Sequence, residues 1–177
     1  MKRLLLSSAF LATIPAANWM VGHLGTACPS GAPCMVPVWP WPKVLAPSGS
    51  VLIGVALVLR NVLQQNAPRS WILGCIAIGA ALSALVAPAA LTVASATSFL
   101  FSEMTDWAVY APLRRRHLAA AILAAGSAGA IVDASLFVSL AFGAELSLIG
   151  GQVIAKLWAS VFASCILTAA GRISPAR

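Results

Sequence analysis

Between Arg69 and Glu103 the chain runs for 33 consecutive residues, positions 70 to 102, without a charged side chain. As one helix, at about 1.5 Å per residue, this run would be about 50 Å long, well beyond the roughly 30 Å hydrocarbon core of a bilayer. Pro88, in Val86-Ala87-Pro88-Ala89, has no backbone N–H with which to continue a helix. The run is therefore expected to cross a membrane twice, over about 71–86 and 90–113.

The rest of the chain calls for the same solvent. Only 8% of its residues are charged and 60% are hydrophobic, whereas a soluble domain carries about 25% charged residues. A soluble enzyme, a disordered chain and a coiled coil are excluded. The apolar segments are continuous and rich in Ala and Leu, without the alternation of a transmembrane β-barrel. A 20-residue ruler finds four more crossings, at about 4–21, 46–65, 117–142 and 148–170. The second is short, since its apolar part covers only 51–63. The expected fold is all-α: a polytopic membrane protein whose single domain, 1–177, is a bundle of about six transmembrane helices.

Orientation follows from the cations, which short cytoplasmic loops retain. With the N-terminus inside, Lys2, Arg3, Arg69, Arg114, Arg115, Arg116, Arg172 and Arg177 face the cytoplasm, and Lys43 alone lies outside. An even number of crossings then puts both termini in the cytoplasm. The net charge of +7 serves orientation on this reading, and no nucleic-acid partner is expected. Arg114-Arg115-Arg116 with His117 is read as a retention signal before a phosphate or lipid site. A second reading of the N-terminus, Lys2-Arg3 followed by a short apolar run and Pro15-Ala16-Ala17, is a cleavable signal peptide.

The longest outside connection, 25–50, holds Cys28, Cys34 and Trp39-Pro40-Trp41-Pro42, whose prolines forbid a regular helix. The tryptophans are read as an interfacial anchor ahead of a substrate lid. Cys28 and Cys34 lack the partners of a zinc site, but an oxidising compartment would permit a disulfide between them. Cys75 and Cys165, inside apolar runs, are read as packing residues. Gly126, Gly129, Gly143, Gly150 and Gly151 are read as points of close helix approach. No metal, cofactor or nucleotide-binding pattern is present, and no Ser/His/Asp or HExxH arrangement, so the chain is not expected to be an enzyme.

Three of the four acidic residues, Glu103, Asp106 and Asp133, fall inside expected spans. A carboxylate near the bilayer centre costs at least about 2.5 kcal/mol, and such a group is by default a candidate functional site. Glu103, Asp106 and Tyr110 share one helix face, flanked by Ser102 and Trp107. Asp133 and Lys156 both lie about 4–5 Å to the outer side of their span midpoints, so they are able to meet. Whether that pair fixes helix register or serves a ligand stays open. Arg60, near the inner end of span two, is expected to snorkel to the headgroups. Glu103 and Asp106 are expected to serve a ligand, because one lysine and one arginine cannot neutralise three carboxylates.

The run Ser102-Glu103-Met104-Thr105-Asp106-Trp107-Ala108-Val109-Tyr110-Ala111-Pro112-Leu113-Arg114 resembles the signature S-E-x-x-D-x-x-V-Y-x-x-L-R of the queuosine-precursor transporters, the vitamin-uptake-transporter-like (VUT) family. Gly129 to Phe137, continuing to Leu140-Ala141-Phe142, is similar to that family's Asp-x-x-x-Phe element, and Lys156 falls where its last span often carries a lysine. The specific likeness covers Ser98 to Trp158. The chain departs from the pattern at Asn61, where an acid is expected, and at Ala134, where Ser or Thr is usual. The resemblance implies inner-membrane uptake of a 7-deazapurine such as 7-cyano-7-deazaguanine (preQ0). It implies a substrate site drawn from Glu103, Asp106, Trp107, Tyr110, Asp133, Phe137 and Lys156. Glu103 or Asp106 would read the adjacent N–H donors of the ring, an aromatic wall would stack on it, and Asp133 with Lys156 would form a switchable pair. Two other classes stay open: a substrate-binding membrane subunit that needs a separate ATPase module, and a non-transporting scaffold. Association into a homo-oligomer is also left open.

Overall fold

The computed structural model of the chain describes residues 2–29, 33–87, 91–115, 118–143 and 145–169. The break expected at Pro88, the span limits expected at Ala90, His117 and Ala170, and the basic residues Arg116, Arg172 and Arg177 lie outside the described residues. Six helices occupy the apolar runs: α1 (Lys2–His23), α2 (Ser50–Asn66), α3 (Arg69–Val86), α4 (Thr92–Leu113), α5 (Leu118–Phe142) and α6 (Leu146–Ala169). Their ends are set by local chemistry. Pro68 drives Ala67 into an extended conformation, φ −138° and ψ 151°, and so separates α2 from α3. Gly143, at φ +75°, takes the left-handed conformation just past α5 that a side chain would resist.

The helix α2 touches each of the other five. At 17 residues it is only about 26 Å long, yet Arg60, Asn61, Ala56, Leu57 and Leu63 on it are fully sealed from solvent. Arg60 is sealed on the inner side of this helix and paired with Glu103 and Asp106, which overturns the expectation that it snorkels to the headgroups. Helices α1, α3 and α5 are long and apolar enough to cross a membrane by length and composition, over Lys2–His23, Arg69–Val86 and Ala120–Phe142. Large apolar side chains point away from the bundle, Leu85, Val93, Phe101, Ile131 and Phe162 among them.

Lipid tails are as apolar as leucine, so helices associate in them through close packing rather than the hydrophobic effect. Small residues supply that fit. A β-carbon at Gly54 would come within 2.5 Å of the Lys156 carbonyl oxygen and 2.7 Å of Ala159 Cβ, so α2 and α6 meet backbone to backbone there. Gly129 on α5 receives Asp106 and Ser102 of α4 and Leu57 of α2 at 3.1–3.2 Å. Gly151 lies against Leu45. Gly150 meets nothing within 4 Å and Gly143 serves a turn, so these two are not the packing points expected of them.

The connection between α1 and α2 is not the plain loop its prolines suggest. It contains an antiparallel hairpin, β1 (Met35–Val38) and β2 (Trp41–Pro47), with Val36 opposite Ala46 and Pro37 opposite Leu45. A two-stranded ribbon is all edge, and an edge accommodates proline where a central strand does not. Cys28 and Cys34 are joined in a disulfide. The hairpin is tied to the end of α1: Cys34 N donates to Val21 O (2.7 Å), Ser48 Oγ to Met20 O (2.8 Å) and Ser48 N to Cys34 O (2.9 Å). Its other face lies on α6, where Val38 and Ala46 pack with Ala155. Trp39, 72% exposed, meets Trp158 edge-on at 5.3 Å.

Gly54→Ala is expected to force α2 and α6 apart and to destabilise the bundle by about 1–3 kcal/mol. Gly74→Ala, on an open surface of α3, is expected to be neutral or to stabilise by up to about 1 kcal/mol. Thermal unfolding in detergent reads both. Equal effects would mean that the α2–α6 approach is not tight.

Candidate functional site

Two charge clusters lie inside the bundle. In the first, Arg60 uses all three guanidinium nitrogens. Its Nε donates to Glu103 Oε2 at 2.8 Å, its Nη1 to Gln64 Oε1 at 3.0 Å, and its Nη2 pairs with Asp106 Oδ1. The planar fork of arginine suits two carboxylates set one helical turn apart. Asn61 Nδ2 reaches Asp106 Oδ2 at 3.5 Å, so a donor stands where the resemblance leads one to expect an acid. An acid there would face Asp106 as a second anion.

Tyr110 and Trp107 belong to the same part of the bundle. Tyr110 is buried, and its hydroxyl accepts from Gln65 Nε2 at 3.2 Å. Trp107 is half-buried against the apolar core. Nearby, Arg114 Nη1 donates to the Gln64 carbonyl at 2.6 Å. Four of the expected site residues, Glu103, Asp106, Trp107 and Tyr110, thus gather around Arg60 and the core rather than along an open cavity.

The other three, Asp133, Phe137 and Lys156, line a cavity of about 60 Å³ in the half of the bundle beneath the hairpin. Lys156 Nζ forms an ion pair with Asp133 Oδ2 and donates to Gln152 Oε1 at 2.7 Å. Lysine and carboxylate meet as their depths in the sequence suggested. The Asp133 side chain keeps 10% exposure, against 1% for Glu103 and 0% for Asp106, so of these three it is the carboxylate most open to a ligand. A volume of this size holds only a few waters. The remaining lining includes Asn18, Ser83, Ser95, Ser98, Gln152 and Pro47. Ser83 and Ser95 share a hydrogen bond at 2.7 Å, which joins α3 to α4 along one wall.

The neutral polar residues of this lining were missed in the sequence, because a lone Ser or Gln does not interrupt an apolar run. Signals for them exist. Ser95, Ser98 and Ser102 recur at helical spacing on the side of α4 that carries Glu103, and Gln152 precedes Lys156 by one turn.

Two further hollows carry different chemistry. One, of about 770 Å³ between β1, α2 and α6, is lined wholly by apolar residues including Trp39, Leu59 and Phe162. The other, of about 580 Å³ at the end of the bundle away from the hairpin, is bordered by Arg69, Arg114, Arg115 and Gln64.

Removing one member of a buried charge cluster strands the rest. Arg60→Met is expected to cost about 3–5 kcal/mol of stability. The triple variant Arg60→Met/Glu103→Gln/Asp106→Asn is expected to recover much of that loss, since no charge is then left unpaired. Folded yield and thermal denaturation measure both, and an Arg60→Met protein as stable as the parent would refute the account of the cluster.

No curated protein and no solved structure matches this chain. A family profile described as "Putative vitamin uptake transporter" matches residues 46–170, more than half of the chain. The match takes in both charge clusters and every helix except α1. With its apolar helices and exposed apolar exterior, the chain is a helical membrane protein and belongs to this family of transporters.

Proposed function

We propose that the chain imports a queuosine precursor, 7-cyano-7-deazaguanine (preQ0) or a related 7-deazapurine, across the inner (plasma) membrane. In this reading all six helices cross the bilayer, both termini are cytoplasmic, and the hairpin closes the outer side. The single observation that carries the proposal is the cavity beneath the hairpin, where Asp133, Lys156 and Gln152 stand beside Phe137 in a member of a transporter family. A flat heteroaromatic ring with polar edges needs an aromatic wall and a few convergent polar groups. Phe137 provides the wall, and Asp133 accepts ring N–H donors that an ordinary apolar pocket would leave unpaired.

Glu103 and Asp106 take a different part from the one first expected of them. Held by Arg60, they couple α2 to α4. A switch of the Lys156–Asp133 pair when ligand competes for Asp133 would distinguish a loaded from an empty carrier, because a ligand shifts a conformational equilibrium only through differential contacts. The cavity is too small in this conformation for a bicyclic ring, so loading requires the hairpin-side half to open.

The test is recovery of queuosine in the tRNA of cells that neither make nor import the precursor, with this chain expressed and preQ0 supplied. The parent chain is expected to restore the modification. Asp133→Asn, Lys156→Met and Phe137→Ala are expected to reduce uptake at least ~10-fold, the loss of about one charge-assisted hydrogen bond or ring contact, with protein still in the membrane. No recovery from a well-expressed chain that still binds preQ0 would favour a subunit that requires a separate ATPase. No binding would overturn the 7-deazapurine assignment. Orientation is tested separately: in right-side-out vesicles, an impermeant maleimide is expected to label Cys28 after reduction and to leave buried Cys75 unlabelled.

A further inference from the structure

Lys156 Nζ donates to Asp133 Oδ2 and to Gln152 Oε1 together. An ammonium group has no lone pair, so it determines which way the Gln152 amide sits: the oxygen faces Lys156 and the NH2 faces away. Gln152 is 2% exposed and lines the cavity, and its Nε2 has no hydrogen-bond partner among the described residues. A buried amide donor without a partner is an exception that calls for an acceptor. Beside it, Asp133 gives Oδ2 to Lys156, which leaves Oδ1 to accept from elsewhere. Asp133 and Gln152 share one lysine nitrogen and both line the cavity, so a donor and an acceptor border the same space.

The geometry points to Gln152 as the residue that sets specificity in this cavity: Nε2 donates to a ring carbonyl oxygen while Asp133 accepts the neighbouring ring N–H, so that together they read a lactam edge. The assignment rests on the cavity being the substrate site proposed above. A 6-oxo deazapurine presents this order of acceptor and donor. A 6-amino analogue presents the reverse, setting N–H against N–H and a ring lone pair against a carboxylate. A site built to pair buried polar groups rejects such an analogue strongly, because the groups are left unmatched.

The test uses the full chain purified in detergent and two probes, 7-deazaguanine and 7-deazaadenine, with binding followed by calorimetry and thermal shift. The parent protein is expected to prefer the 6-oxo probe by about 100-fold. Gln152→Leu removes the donor, and the preference is expected to fall below about 10-fold. Gln152→Glu keeps the shape and the acceptor for Lys156 but presents a second oxygen to the ligand. Its preference is expected to vanish or reverse, and it answers the question even if the leucine variant does not fold. Variants that keep the parent's ratio would overturn the role of Gln152 and leave the cavity as a purine site. A parent protein that binds both probes alike would overturn the lactam reading alone, and one that binds neither would overturn the substrate assignment together with it.

Discussion

Everything in the bundle is arranged around a guanidinium that has no route to water. Arg60 sits on the one helix that touches all the others, and its charge is balanced by Glu103 and Asp106 of α4. Taking such ions out of water costs several kcal/mol each, and only good geometry with further hydrogen bonds offsets it. The geometry is supplied by a second residue on each side, Gln64 and Asn61. It also requires close helix approach, which is why α5 carries glycine where Asp106 and Ser102 press against it. The charge cluster and the small-residue contacts are thus one constraint, since neither holds without the other.

The second cluster differs in kind. Asp133, Lys156 and Gln152 join α5 to α6 but border a cavity, and one of their polar atoms is unpaired. Fully satisfied networks rigidify, whereas partly satisfied ones are costly unless something completes them. The molecule therefore separates the two tasks along the bundle. The sealed cluster, in which Asn61 Oδ1 also lacks a partner, holds helices together, and the second, nearer the hairpin, has its unpaired donor on a residue that lines a cavity.

Much of this was legible in the residues. Helix limits were readable because proline and charge interrupt apolar runs sharply, as at Pro68 and Arg69. Asp133 and Lys156 could be matched by their depth alone. Arg60 was misread, because hydropathy measures how apolar a helix is and says nothing of how many neighbours surround it. The short length of α2, which counted against it as a span, was the overlooked sign of its central position. The hairpin was hidden for another reason: its prolines argue against helix and sheet alike, and only a ribbon with two free edges tolerates them. Asn18, Ser83 and Gln152 escaped notice since neutral polar groups leave the apolar pattern intact, and their grouping exists only once three helices are packed.

The hydrogen bonds at Ser48 have a consequence for how this protein can vary. Ser48 binds the end of α1 through Met20 and the start of β1 through Cys34, so the segment from Leu24 to Pro47 leaves and re-enters the bundle at a single neck. Such a cinched appendage can gain or lose residues away from its contacts with α6 without altering the spacing of α1 and α2, and loop length itself carries only a small entropic penalty. Tolerance ends where the appendage touches its base, at Val38 and Ala46 against Ala155, at Trp39 against Trp158, at Leu45 against Gly151 and at Pro47 on the cavity rim. The hairpin segment is in this sense an exchangeable part mounted on a fixed collar.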